Sequence, residues 1–145
     1  MHAAVSKALF EKSIGRWPPD FSHIDQWVFH NVSFPVVDCE FRTEDRTPLR
    51  IYMDCSEWNE QPLSVTLKNS HGELLRSLPS ARSNIFNAGP HQTTGLPFIC
   101  MAGTKEFHTH PSHLNEKWDQ FRDKPGFDIG DILMKIWHGW LKGKG

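Results

Sequence analysis

The sequence predicts an α+β domain in which helices cover one face of an antiparallel meander. Two observations carry the prediction: helical periodicity near both ends of the chain, and three short alternating runs between them. A third concerns organisation. No internal repeat, low-complexity tract or convincing linker interrupts the 145 residues, so 1–145 is read as a single domain.

Residues 3 to 14 read as the first helix: Val5, Leu9, Phe10 and Ile14 recur near helical spacing, and Gly15 followed by Pro18-Pro19 stops it. From Phe34 to Thr43, Val37, Cys39 and Phe41 share a face. From Leu49 to Cys55, Leu49, Ile51, Met53 and Cys55 alternate with Arg50, Tyr52 and Asp54, and Leu63, Val65 and Leu67 repeat the pattern. Polar turns at 43–47 and 56–61 join these runs, giving a meander of three or four strands with one buried and one wetter face. Asn69-Ser70-His71-Gly72 supplies a further turn, and 79–97, rich in Pro, Gly, Ser, Asn and Thr, reads as a long loop. Near the end, Ile129, Ile132, Leu133, Ile136, Trp137, Trp140 and Leu141 form one apolar helical stripe. Asp128 stands at its N-cap, Asp131 in its first turn and Lys142 in its last. The spacing of Trp137 and Trp140 assigns both to the core rather than to a binding stripe.

Charge and composition exclude several functions. Sixteen Lys plus Arg balance seventeen Asp plus Glu, and no block of like charge stands out, which argues against a nucleic-acid partner. No window approaches the roughly 18 apolar residues of a spanning helix, and Met1-His2-Ala3-Ala4 lacks the layout of a secretion signal. The expectation is a soluble cytoplasmic protein with no membrane partner. Three cysteines without a CxxC pair fit a reducing compartment and no disulfide framework.

Cys39 and Cys55 fall on inward positions of strands and read as small core hydrophobes. Cys100 differs. It ends the apolar run Leu96-Pro97-Phe98-Ile99 and precedes the small, flexible Met101-Ala102-Gly103-Thr104, so its thiol can be partly exposed, as a nucleophile requires. Within fourteen residues comes Phe107-His108-Thr109-His110-Pro111-Ser112-His113, three imidazoles in six positions. Imidazole can move protons near neutral pH, assist a thiol, donate to an oxyanion or ligate zinc. His110 and His113 are the first candidates to assist Cys100, and His108 the next. Asp119 could orient an imidazole, Trp118 should pack beneath the loop, and Lys105, Glu106 and Lys117 read as solvated charges. His2, His23, His30 and His71 are scattered and receive no role. The competing reading is a zinc-binding protein, because Cys100, His108, His110 and His113 could together supply four ligands.

His108-Thr109-His110-Pro111 resembles the His-x-His-Pro core of the JAMM metalloproteases, which implies zinc hydrolysis through the His108, His110 and His113 cluster. The positions where that family carries its Ser and Asp hold Trp118 and Phe121. A second resemblance covers most of the chain. A helix, a meander, the Trp58-Asn59-Glu60-Gln61-Pro62 turn, Gly95-Leu96-Pro97-Phe98-Ile99-Cys100-Met101, a following Trp118 and a long amphipathic helix together resemble the ubiquitin-conjugating (E2, or UBC-like) fold. The wording from Cys100 to Trp140 is similar to the divergent stand-alone E2-like proteins of bacterial antiviral (CBASS) operons.

That resemblance implies a cysteine thioester transferase with no cofactor and no bound metal. Cys100 would carry the C-terminal carboxyl of a partner protein and pass it to a lysine. The implied cargo is a cyclic-oligonucleotide synthase of the cGAS/DncV-like type or a ubiquitin-like protein. No phosphate-binding loop is present in the sequence, so an E1-like activating enzyme or a preformed activated tail is implied as well. Where E2 proteins carry His-Pro-Asn, this chain reads Pro90-His91-Gln92, making Gln92 the implied oxyanion amide.

Overall fold

A computed structural model describes residues 2–78 and 85–143. Its order is α1 (Ala3–Gly15), β1 (Trp27–Ser33), β2 (Val36–Phe41), β3 (Leu49–Asp54), β4 (Ser64–Lys68), β5 (Phe86–Asn87), β6 (Phe98–Ile99), α2 (Lys105–His108) and α3 (Ile129–Lys142). Short 3-10 turns lie at Pro19–His23, Pro111–His113 and Trp118–Gln120. The architecture is α+β, as the periodicities predict. β1 to β4 form one antiparallel sheet in sequence order, and β5 pairs with β6 in a separate two-stranded ribbon. Among the described residues no helix is long and apolar enough to cross a membrane.

The three alternating runs become β2, β3 and β4 with Cys39 opposite Ile51 and Met53 opposite Val65. The fourth strand, β1, lies before them, and a register shift between Phe29 and Asn31 interrupts its alternation. β2 departs from the expected wet face. Val37, Cys39 and Phe41 enter the core, while Asp38 and Glu40, on the opposite side by the period-two rule, are also buried. Each carboxylate is covered by its partners. Arg50 grips Asp38 with bonds of 3.2 and 2.5 Å, and Glu40 lies 2.7 Å from His30 Nε2 and 2.5 Å from Arg42 Nε. Burial alone would raise the Glu40 pKa, but those bonds from Arg42 and His30 hold it below the usual carboxylate range.

α3 buries Ile129, Ile132, Leu133, Ile136, Trp137 and Trp140 in the same core as the inward side of the sheet, with Trp137 at 5.0 Å from Phe41 and 5.9 Å from Trp27. Leu141, at the end of the stripe, turns out to be exposed. Asp128 caps α3 in a reciprocal box with Asp131, and it also accepts from Ser13 Oγ at 2.5 Å and Arg16 Nε at 3.0 Å, fastening α1 to α3. The buried face of α1 is therefore Ser6, Phe10 and Ser13, and Val5 is 47% exposed rather than inward. The Asn69 turn closes as expected, with its side chain accepting from the N–H groups of His71 and Glu73 at 2.9 and 3.0 Å. Of the loop assigned to 79–97, residues 79–84 lie outside the described residues, and the remainder contains β5.

Candidate functional site

Cys100 follows β6 directly, and its N–H donates to Ile85 O at 2.7 Å, extending the ribbon to the candidate thiol. The next turn is tied down by Thr104. Its hydroxyl reaches Met101 O at 2.9 Å and Ile99 O at 3.2 Å, and accepts from Phe107 N at 3.3 Å, so it caps α2 as well. Lys105 N donates to Leu63 O at 2.7 Å, which anchors α2 to the chain leading into β4.

Glu106 corrects the sequence reading. Instead of being solvated it is 4% exposed and accepts from Ser64 Oγ at 2.6 Å and from Val65 N at 2.8 Å. A carboxylate thus satisfies an edge-strand N–H of β4 where a further strand would otherwise sit. Burial raises its pKa, and the bonds from Ser64 and Val65 oppose that rise only in part. Lys105 and Lys117 are exposed as expected.

The three histidines of the cluster have different positions and tasks. His113 ends the 3-10 turn begun by Pro111 and stacks on Phe107 with centroids 4.0 Å apart and planes 15° apart. Its Nε2 lies 3.7 Å from Cys100 Sγ, and its Nδ1 lies 2.5 Å from Glu116 Oε2. An Nδ1–H donated to the carboxylate leaves the Nε2 lone pair facing the thiol, an order of thiol, imidazole and carboxylate that can serve as nucleophile, base and orienting acid. Burial raises the Cys100 pKa, and the Glu116 charge raises it further, so the resting group is a thiol and the adjacent base must take its proton.

His108 is turned to other use. Gly103 N donates to its Nε2 at 3.1 Å, which makes that atom an acceptor and places the proton on Nδ1, 2.6 Å from Glu116 O. Both nitrogens are occupied, and burial lowers the pKa and keeps the ring neutral. His108 therefore positions Glu116 rather than meeting Cys100. His110 accepts from Ser112 N at 3.2 Å and pairs with Ser112 Oγ at 2.6 Å through Nδ1, and its ring lies against Phe98 and 5.9 Å from that of His113. Its carbonyl accepts from His113 N at 2.9 Å, closing the 3-10 turn, while its ring flanks the pair with no hydrogen bond to Cys100 or to the His113 ring among the described residues.

Asp119 is not brought to an imidazole; it pairs with Arg122 at 3.3 Å on the surface. Gln92 is exposed, and no hydrogen bond of its amide is found among the described residues. Its neighbour His91 is the buried member of that segment, accepting from Thr93 N at 3.1 Å and reaching Glu106 O at 2.9 Å. Trp118 is buried as expected, with Nε1 donating to Asn59 O at 2.8 Å and its ring 5.9 Å from His108. Cys39 and Cys55 are buried in the core, where loss of solvent pushes both thiols far up.

Sequence reasoning passed over Glu116. Its signal is the i, i+3 spacing from His113, which becomes a contact only because the chain turns tightly after Pro111. Among the described residues no three His, Cys, Asp or Glu side chains converge as metal donors, and His108 has no lone pair left to offer. No protein-family model matches the chain, and no curated protein matches it.

Proposed function

We propose that the protein is an E2-like acyl carrier acting in the bacterial cytoplasm, with Cys100 as the thioester-forming nucleophile. The observation that carries this reading is the 3.7 Å approach of His113 Nε2 to Cys100 Sγ, with Glu116 held on the other ring nitrogen. A thiol above its ordinary pKa attacks a carboxyl derivative only when a base removes its proton, and His113 is placed to do so. The same imidazole, once protonated, returns the proton to a departing group, and later accepts one from an incoming amine. The order of helix, four-stranded antiparallel sheet, cysteine segment and terminal helix is compatible with a UBC-like arrangement.

The cargo in this reading is a protein with a conjugatable C-terminus, either a cGAS/DncV-like cyclic-oligonucleotide synthase in antiphage defence or a ubiquitin-like protein. Its activation comes from an E1-like enzyme or from a tail already activated, and the acceptor is a lysine.

The test is intact mass under non-reducing conditions after co-expression with each candidate cargo, comparing wild type with Cys100→Ser, together with metal analysis. A wild-type adduct released by hydroxylamine, replaced in the Ser variant by a stable oxyester or by nothing, is the expected result. An adduct released by thiol but not by hydroxylamine is a disulfide and contradicts the proposal. So does an absence of adduct accompanied by about one zinc per chain, which would promote the histidines to a metal site.

A further inference from the structure

The turn after Cys100 disposes of its donors unevenly. Cys100 N–H is given to Ile85 O at 2.7 Å, Gly103 N–H to His108 Nε2 at 3.1 Å, and Thr104 N–H to Met101 O at 3.1 Å. Between them the N–H groups of Met101 and Ala102, both on half-buried residues, have no hydrogen-bond partner among the described residues. Neither donor is spent on the fold, so each is open to solvent or to a group bound at Cys100. The turn holds them in place. Its Thr104 N–H to Met101 O bond and the φ of +104° at Gly103, its third residue, give the type II pattern, and Thr104 Oγ1 draws the carbonyls of Ile99 and Met101 onto itself.

We infer that the Met101 and Ala102 N–H groups form the oxyanion hole of Cys100, in the place where the exposed Gln92 amide would otherwise be sought. The inference rests on the acyl-carrier reading. When Cys100 Sγ bonds to an acyl carbon, its proton passes to His113 Nε2 and the carbonyl π pair moves onto oxygen. That oxygen, one bond from the carbon on Sγ, is the acceptor of these N–H groups in this proposal. On collapse the oxygen re-forms its double bond and the leaving group departs, accepting the His113 proton where it is basic. Two fixed backbone donors stabilise the charge at no cost in reorganisation, and the residue following a nucleophile supplies such a donor in unrelated acyl-transfer folds.

The turn itself provides the test. Ala102 is the second residue of a type II turn, a position that suits proline, so Ala102→Pro deletes one N–H while keeping the backbone path. Two reactions of Cys100 are compared by mass: acylation by p-nitrophenyl acetate, which forms a tetrahedral oxyanion and expels nitrophenolate, and alkylation by iodoacetamide, which forms none. Acylation of Ala102→Pro should fall on the order of 100-fold, with alkylation and thermal midpoint close to wild type. Equal acylation in the two proteins overturns the inference alone. A wild-type Cys100 that alkylates but does not acylate overturns the carrier reading together with it. Should the proline variant lose its fold, amide NMR of the wild type with a short peptide aldehyde decides. The hemithioacetal on Cys100 should move the Met101 and Ala102 amide protons downfield, and unmoved amides overturn the inference.

Discussion

Replacing Glu116 by glutamine separates the two effects this carboxylate exerts on the site. Through the 2.5 Å bond to His113 Nδ1 it favours the imidazolium that forms when the thiol loses its proton, and through its charge it raises the Cys100 pKa. Nearly half of the Glu116 side chain (48%) faces water, so the first effect is screened. With charge centres roughly 3.5 Å apart and an effective dielectric between about 40 and 80, Coulomb's law gives about 1 to 2.5 kcal/mol. That corresponds to a fall of roughly 5- to 60-fold in the rate of Cys100 acylation, well short of the ~10⁴-fold seen when a buried triad acid is neutralised. The second effect has the opposite sign. Removing the charge brings the thiol pKa down, so alkylation by iodoacetamide at a fixed pH below that pKa should hold steady or rise. Acylation is followed by stopped-flow release of nitrophenolate, alkylation by mass. A parallel loss in both reactions would show that Glu116 merely holds the loop together, and unchanged acylation would remove it from the mechanism.

Two further predictions concern the supports of the site. Because the folded pKa of Glu106 is raised above its ordinary 4.5, its favourable contribution is present below that value and is lost as pH rises through the folded pKa. Glu106→Gln, which can still accept from Val65 N–H, should therefore gain stability over wild type progressively above about pH 4.5, as measured by urea unfolding across pH; a gap independent of pH would refute the assignment. His108→Ala should cost about 1 to 3 kcal/mol, because it strands Gly103 N–H and Glu116 C=O. The His108 pKa is lowered in the fold, so the contribution lost is one present above its ordinary 6.5 and declining as pH falls. Denaturant titration at pH 8 and pH 5 should show a larger deficit at the higher pH, and equal deficits would contradict the bridge.

How much of this was legible in the sequence depended on whether a signal was local. The stripe of α3 and the alternation of β3 and β4 repeat within a few residues, and each element formed where its period placed it. Cys100 stood apart from Cys39 and Cys55 for a local reason too, the small residues that follow it. β1 was hidden because its alternation is broken by the shift after Phe29. Glu106 reads as a surface charge beside Lys105 until β4 is seen to need an acceptor for Val65 N–H. The choice of His113 over His108 and His110 turned on which ring nitrogen each turn leaves free, a matter of angles that composition does not carry.

The contacts of Lys105 and Glu106 with Leu63, Ser64 and Val65 bear on colloidal behaviour as well as chemistry. They cover the start of β4, one of the two edge strands of the sheet, where open backbone groups would otherwise be able to recruit a strand from another molecule. The segment that presents Cys100 thus also covers part of the β4 edge. A lesion there should announce itself as concentration-dependent precipitation before the thiol loses its reactivity, and the fraction of protein that stays dispersed becomes a gauge of the integrity of the turn.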